Sequence, residues 1–139
     1  MKIEFKNNPT KDEIDVIYNG LVAYNELHLE GIDETNFGLF VNDDNDNILG
    51  GITGQIFSEC LFIRFFWLPE NIRGTGVGRK LIQTIEAQAR ERGIKNLYLD
   101  TYTFQAPAFY EAAGFKEVGR YTDFPKQGAD KVFYQKALI

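Results

Sequence analysis

A glycine-rich segment in the middle of the chain has the composition of an anion-binding turn. It reads Arg73-Gly74-Thr75-Gly76-Val77-Gly78. Glycine lets a backbone approach a ligand closely, because no Cβ stands in the way. A helix that follows would aim its first N–H groups and the positive end of its dipole at the same ligand, and phosphate is the usual anion at such a place. Arg73, Arg79 and Lys80 add positive charge at this end.

The spacing of these glycines excludes two common nucleotide-binding motifs. A dinucleotide fingerprint, Gly-x-Gly-x-x-Gly, would need its third glycine where Arg79 stands, and a P-loop would need a hydroxyl where Leu81 follows Lys80. Glycine turns before helices also occur where they bind no ligand and only connect two elements. The spacing alone therefore leaves a ligand site and a packing role both open.

A tyrosine further along the chain is the candidate proton donor. Tyr110 lies in a short predicted helix that stops at Gly114. A phenol can protonate a departing group, but aromatic residues in short helices are commonly part of the core. The residues alone do not choose between these roles, whereas Phe109 and Phe115 are assigned to the core.

No single residue stands out as the general base, which would accept a proton during catalysis. Five residues are candidates: Glu26, His28, Glu30, Asp100 and Asp123. Cys60 lies in an apolar run, which predicts a buried structural thiol. The polar tract at 42–47 lacks the glycine and glutamate of a calcium loop, so no metal site is predicted and a hairpin turn is expected there.

The elements that must position these residues follow from hydrophobic periodicity and turn signals. Strands are predicted at residues 2–6, 37–41, 48–57, 60–68, 94–101, 115–121 and 131–136. Helices are predicted after a capping box of Thr10 and Glu13, at 77–92, and at 106–113, with a break at Gly31. Three successive strands form an antiparallel meander, and one strand–turn–helix–strand crossover follows. This order predicts an α+β fold, a mixed and mostly antiparallel sheet flanked by helices.

Length and composition favour a single soluble domain over residues 1–139. Hydrophobic residues make up 44% of the chain, and its net charge is −5. A basic face for nucleic acid is not visible, no stretch approaches the length of a membrane span, and the start lacks the apolar run of a signal peptide. One cysteine cannot form an internal disulfide. We therefore expect a cytoplasmic protein without nucleic-acid or membrane partners.

Two segments together resemble the GCN5-related N-acetyltransferases (GNAT), the acyl-CoA N-acyltransferase fold. Residues 73–78 are similar to the family's pyrophosphate loop, Arg/Gln-x-x-Gly-x-Gly/Ala, and residues 105–115 to its Ala-x-x-Phe-Tyr-x-x-x-Gly-Phe segment. The stretches at 99–101 and 104–107 look like a bacterial-type branch whose members generally lack an assigned acceptor. The order of elements extends the resemblance over nearly the whole chain.

The resemblance implies acetyl-coenzyme A as cosubstrate and supplies roles for the site residues. Backbone N–H groups of the turn would hold the pyrophosphate, and Tyr110 would be the general acid. A bulge would separate the predicted strand at 60–68 from its neighbour, so that its end pairs with pantetheine and an N–H near Leu68 polarises the thioester carbonyl. The implied cofactor-binding residues are Phe66, Trp67, Leu68, Arg73, Gly74, Thr75, Gly76, Val77, Gly78, Arg79 and Gln105.

The implied activity is transfer of the acetyl group to a primary amine of a small molecule or protein. The alternative is a non-catalytic acyl-CoA sensor or partner protein on the same fold. Aromatic residues at 102, 104, 121 and 124 hint at an acceptor with a flat or apolar part, and the acidic balance hints at a cationic one. Many relatives carry Gly-His where this chain has Gly128-Ala129, which removes one possible acceptor contact. Exposed C-terminal strands in this fold often pair, which leaves a homodimer open.

Overall fold

The computed structural model describes residues 1–29 and 34–139, in two compact units that divide between residues 32 and 33. The first unit contains helix α1 (Lys11–Glu26). This helix begins at the predicted capping box, in which the Thr10 hydroxyl accepts from the Glu13 N–H at 3.1 Å and the Glu13 carboxylate accepts from the Thr10 N–H at 2.9 Å. The break predicted at Gly31 lies outside the described residues.

The strand predicted at residues 2–6 is wrong. Residues 1–6 form no regular element. Their alternation of polar and apolar side chains matches a strand, but a strand also needs a neighbour for its backbone N–H and C=O groups. No strand in the described part of the chain pairs with this segment.

Residues 34–139 contain the remaining elements in the predicted order. They are β1 (Glu34–Asn42), β2 (Ile48–Phe57), β3 (Cys60–Trp67), a short 3₁₀ helix (Glu70–Ile72), α2 (Val77–Glu91), β4 (Asn96–Tyr102), α3 (Pro107–Ala112), β5 (Lys116–Tyr121) and β6 (Lys131–Ala137). The polar tract between β1 and β2 is a hairpin turn, as predicted. The Asp43 carboxylate accepts from the backbone N–H groups of Asn45 and Asn47.

The sheet has the strand order β1-β2-β3-β4-β6-β5. Its first three strands form the predicted antiparallel meander, and β3 pairs with β4 in parallel across the α2 crossover. The last strand, β6, lies between β4 and β5 and is antiparallel to both. The mixed, mostly antiparallel sheet confirms the predicted α+β class.

The core lies between one face of the sheet and the apolar side of α2. This helix buries Leu81, Ile82, Ile85 and Ala89, and the sheet contributes buried residues that include Ile52, Leu61, Ile63, Leu97, Leu99, Val132 and Tyr134. Phe115 is buried and Phe109 packs at the margin, as predicted. No helix in the described residues is long and apolar enough to cross a membrane.

A bulge in β3 opens the sheet next to the glycine turn. Thr53 of β2 pairs with Phe65, but the next residue of β2 pairs with Ile63, so Arg64 is an extra residue in β3. Pairing between β3 and β4 ends at Phe62 and Tyr98. Beyond that pair the two strands separate, and in the described residues no ladder hydrogen bond joins their facing edges. The predicted separation of these strands is confirmed.

Candidate active site

The glycine turn joins the end of β3 to the first residue of α2. Gly74 and Gly76 have φ values of 73° and 90°, a left-handed conformation that side chains with a Cβ rarely adopt. A Cβ added at either position would meet nothing within 4 Å. The two glycines are therefore required by the backbone conformation, and the space beside them is open.

The backbone N–H groups that follow Arg73 in this turn have no acceptor within the described residues. In the part of the chain that the structure describes, none from Gly74 to Arg79 donates a hydrogen bond, and the first bond of the helix is from Lys80 to the carbonyl of Gly76 at 3.1 Å. No side chain in the described ranges caps the N-terminus of α2. Free N–H groups at the positive end of a helix, beside the exposed Arg79 and Lys80, form a site for a phosphate group.

Two side chains of the turn hold it in place instead of facing a ligand. The Arg73 Nε donates to the carbonyl of Leu68 at 2.8 Å, and the Thr75 hydroxyl donates to the carbonyl of Ile72 at 2.6 Å. The guanidinium of Arg73 thus ties the turn back to the end of β3. Its two terminal nitrogens have no partner among the described residues.

Close packing connects α2 with α3. A Cβ at Gly78 would lie 3.4 Å from the Phe109 ring and 3.6 Å from Leu68. The Phe66 ring, at the end of β3, packs edge-on against the same phenylalanine with a centroid distance of 5.7 Å. These contacts bring α3 to the place where β3 and β4 separate. Trp67, the next residue of β3, is exposed.

Tyr110 lies at this place with a buried ring and an unengaged hydroxyl. Its residue is 8% exposed, and its ring centroid is 6.4 Å from that of Phe66. Burial raises the pKa of Tyr110 to about 12. Among the described residues the hydroxyl has no hydrogen-bond partner. Every fully enclosed side-chain polar atom of those residues has a partner, so this hydroxyl reaches the surface. A buried phenol with an accessible O–H can donate a hydrogen bond to a ligand.

Gln105 holds the loop that precedes α3. Its side-chain oxygen accepts from the Thr101 hydroxyl and from the Tyr102 N–H, both at 2.8 Å. The side-chain nitrogen of Gln105 has no partner in residues 34–139. Only that nitrogen remains for the role in cofactor binding that the sequence suggests.

The candidate bases have different surroundings. The Asp123 carboxylate accepts from the Gly128 N–H at 3.0 Å and so stabilises the loop between β5 and β6. Asp100 lies near Lys131, with 3.5 Å between Oδ1 and Nζ. In the first unit, Glu26 ends α1 and the ring of His28 packs against Tyr24. Glu30 lies outside the described residues.

Sequence reasoning missed part of the site region. Cys60 is only partly buried, because the side chains of β3 alternate and this one points away from the core. It borders a cavity whose walls include Phe62, Tyr98 and Phe133. The period-two alternation of β3, β4 and β6 is the signal that could have placed these aromatic residues on one face. No group of three potential metal ligands occurs within the described ranges.

Comparison with known proteins identifies the family. The model of the acetyltransferase (GNAT) family matches residues 8–115. Acetyltransferase Atu2258 of Agrobacterium fabrum is 32% identical over 74% of this chain and 75% of its own length. Blasticidin-S acetyltransferase of Streptomyces morookaense is 30% identical over 64% of this chain and 66% of its own. A crystal structure of an acetyltransferase from Bacillus cereus superposes with a TM-score of 0.82 at 34% identity, covering 97% of this chain and 98% of that one.

The chain therefore belongs to the GNAT family and is an N-acetyltransferase. Its cosubstrate is acetyl-CoA, from which the family transfers the acetyl group. The resemblance inferred from the glycine turn and the segment around Tyr110 is confirmed, and so is the fold.

Proposed function

We propose that this protein acetylates a primary amine of a small molecule or protein by direct attack of the amine on the thioester of acetyl-CoA. The observation that carries the proposal is the unengaged hydroxyl of Tyr110 at the separation of β3 and β4. The glycine turn lies next to the same helix, because Gly78 packs against Phe109, and its N–H groups, which have no acceptor among the described residues, suit a pyrophosphate. The arrangement offers a place for the phosphates, an open strand edge, and a proton donor.

The binding of acetyl-CoA is assigned to the turn and to the end of β3. Backbone N–H groups from Gly74 to Arg79 would hold the pyrophosphate, with added charge from the terminal nitrogens of Arg73. The pantetheine amides would pair with the edge of residues 66–68 that faces away from β2, because that edge has no strand beside it. The side-chain nitrogen of Gln105 is a further donor.

The chemistry begins when the amine nitrogen attacks the thioester carbonyl carbon. The tetrahedral adduct collapses, the carbon–sulfur bond breaks, and the sulfur leaves as a thiolate, which Tyr110 would protonate. A thiol pKa of about 8.5 is roughly 3.5 units below that of this phenol, so complete transfer is uphill by roughly 5 kcal/mol. The phenol therefore first donates a hydrogen bond to the sulfur. Transfer is completed as the phenol regains a proton from the acetylated nitrogen, which still carries the extra proton of the attacking amine.

A panel of primary amines and peptides tests the proposal. Free thiol is measured after acetyl-CoA is added to enzyme with each acceptor, and the acetylated product is identified by mass spectrometry. We expect thiol release that depends on the acceptor and yields one acetyl group per thiol. Tight binding of coenzyme A without turnover on any amine would instead support an acyl-CoA sensor.

The location and partners of the protein are further parts of the proposal. A cytoplasmic location agrees with a chain that has one cysteine, because disulfides are typical of oxidising compartments. The net charge of −5 disfavours nucleic acid as a partner. The exposed edge strand β5 is the part of the sheet that a homodimer would use. Light scattering of the purified protein tests the dimer.

A further inference from the structure

A cavity of about 440 Å³ lies on the face of the sheet opposite α2 and α3. The faces are fixed by the side chains of β6, because Tyr134 packs against Tyr110 of α3 and Lys136 binds Glu86 of α2. The residues of β6 next to Tyr134 and Lys136 project from the other face, as do the residues of β4 that pair with them. Tyr98, Asp100 and Phe133 belong to that set and line the cavity.

Aromatic rings form the walls of this cavity. Phe62 and Tyr98 are stacked, with centroids 4.9 Å apart and planes inclined by 24°. They belong to the last pair that joins β3 to β4. Phe133 lines the cavity from β6 and packs edge-on against Tyr121 at 4.8 Å. Flat aromatic surfaces of this kind suit a planar ring, which they contact by stacking or edge-to-face packing.

A carboxylate stands at the end of the cavity where the strands separate. Asp100 lies two residues beyond Tyr98, the last residue of β4 that pairs with β3. The ammonium of Lys131 lies 3.5 Å from this carboxylate and 5.6 to 5.9 Å from the ring centroids of Tyr102, Phe124 and Phe133. Asp100 thus binds a cationic amine beside aromatic rings, of which Phe133 lines the cavity, and its Oδ2 has no hydrogen-bond partner among the described residues.

The cavity and Tyr110 lie on opposite faces of the same stretch of sheet. Tyr110 contacts Tyr134, which pairs with Leu99, and the next residues of these two strands, Asp100 and Phe133, face the cavity. The separation of β3 and β4 runs beside this stretch. An amine held at Asp100 would therefore lie near the gap in which the thioester is proposed to bind.

We propose that this cavity binds the acetyl acceptor, and that the acceptor is a small molecule that carries a primary amine and a planar ring. The inference rests on the proposed function. The ring packs between the Phe62–Tyr98 pair and Phe133, and the amine donates a hydrogen bond to Asp100. The volume lies within the range of small-molecule sites, which favours such an acceptor over a folded protein.

Matched amines test the class of acceptor. 2-Phenylethylamine and 2-cyclohexylethylamine have the same chain and amine, but only the first has a planar ring. We expect kcat/KM to be about five to ten times higher for 2-phenylethylamine, since aromatic contacts add that much beyond burial. Equal values, or a lysine peptide that exceeds both amines, would overturn the inference.

Substitutions of cavity residues test where the ring and the amine of the acceptor bind. Phe133→Leu and Tyr98→Leu should raise KM for 2-phenylethylamine by about fivefold or more and leave KM for 2-cyclohexylethylamine and for acetyl-CoA nearly unchanged. Phe133→Tyr keeps the ring and should restore the preference. Asp100→Asn should raise KM for both amines. Phe40→Leu, an exposed aromatic of β1 outside the cavity, is the matched control and should change none of these values.

The two proposals fail in different ways. Absence of acetyl transfer to every amine, with acetyl-CoA bound, contradicts the proposed function. The acceptor site alone is contradicted by two results together: acetyl transfer depends on Tyr110 but shows no preference for a planar ring, and the cavity variants keep the wild-type KM.

Discussion

The rings of Tyr110 and Tyr134 lie 6.2 Å apart, but only the Tyr134 hydroxyl has a hydrogen-bond partner among the described residues. The Tyr134 hydroxyl donates to the Glu111 carboxylate at 2.8 Å, whereas that of Tyr110 has no acceptor among the described residues. Burial raises the pKa of both to about 12, and for Tyr134 the hydrogen bond to Glu111 adds to it. The protein thus contains two buried phenols of similar acidity, of which one is free to act on a ligand.

Tyr110→Phe should lower kcat by roughly 10²-fold if the hydroxyl protonates the leaving thiolate. KM for acetyl-CoA should change little, because the contact forms in the transition state. The drop will be smaller to the extent that the thiolate leaves unprotonated. Steady-state kinetics with the best amine of the panel give these values.

Tyr134→Phe is the matched control for this substitution. It removes a neighbouring hydroxyl that already has a partner, so kcat should stay within a few-fold of wild type. A wild-type rate for folded Tyr110→Phe would assign Tyr110 to the core, and the proton donor would have to be another group.

The protein should lose stability between about pH 10 and pH 12. A tyrosine in the unfolded chain has a pKa of about 10, whereas Tyr110 and Tyr134 keep their protons to about pH 12 in the fold. Over this window the folded state binds more protons than the unfolded state, so the free energy of unfolding falls as the pH rises. The contribution of each group is fully present below pH 10.

Urea unfolding at pH 9 and pH 11 measures this loss. Each tyrosine should account for about 1.4 kcal/mol of the difference between the two pH values. Tyr110→Phe and Tyr134→Phe should each show a correspondingly smaller difference. If both variants lose as much stability as wild type, the two phenols titrate at their ordinary pKa.

Gly76→Asp should weaken coenzyme A binding by tenfold or more. The change places a negative charge and a Cβ beside the free N–H groups of the turn, at a φ of 90°. Isothermal titration calorimetry gives the dissociation constant. Gly93→Asp is a matched control, because Gly93 has a φ of 73° and open space around it at the far end of α2. Equal affinity of the two folded variants would refute the assignment of the turn.

Arg73→Ala should reduce coenzyme A affinity by less than Gly76→Asp does. The turn binds mainly through backbone N–H groups, and one exposed charge adds modestly. The change also frees the Leu68 carbonyl, so the melting temperature should fall slightly. Arg73→Lys keeps the charge but has no Nε donor. Full affinity of Arg73→Lys for coenzyme A would show that only the positive charge at this position matters. A loss of affinity in Arg73→Ala that exceeds the loss in Gly76→Asp would mean that the guanidinium carries most of the phosphate binding.

Local sequence signals predicted those parts of the site that depend on local conformation. The positive φ values of Gly74 and Gly76 need glycine, and the apolar spacing of α2 gives a helix that starts right after the turn. The turn and the helix of Tyr110 could therefore be placed from the sequence. The separation of the strands followed from the family resemblance.

Features that depend on distant partners could not be predicted in the same way. Alternation at residues 2–6 predicts a strand, but whether another strand is available to pair with it is a property of the whole fold. The cavity is lined by residues of four strands, so the sequence cannot place Phe62 and Phe133 at one cavity before the sheet order is known. The hydrogen bond from the Arg73 side chain to the Leu68 carbonyl depends on the geometry of the turn, which the spacing of residues along the sequence does not specify.

The position of β6 between β4 and β5 sets an order in which the sheet can assemble. In the described residues β5 reaches the sheet only through β6, which follows it in the chain. A chain that has been synthesised only as far as β5 therefore has no sheet edge for β5 to join, because β6, which pairs with both β4 and β5, has not yet been made. Contacts of this long sequence separation slow folding. Pairing of β6 with both of its neighbours should accordingly be a late step in the folding of this enzyme.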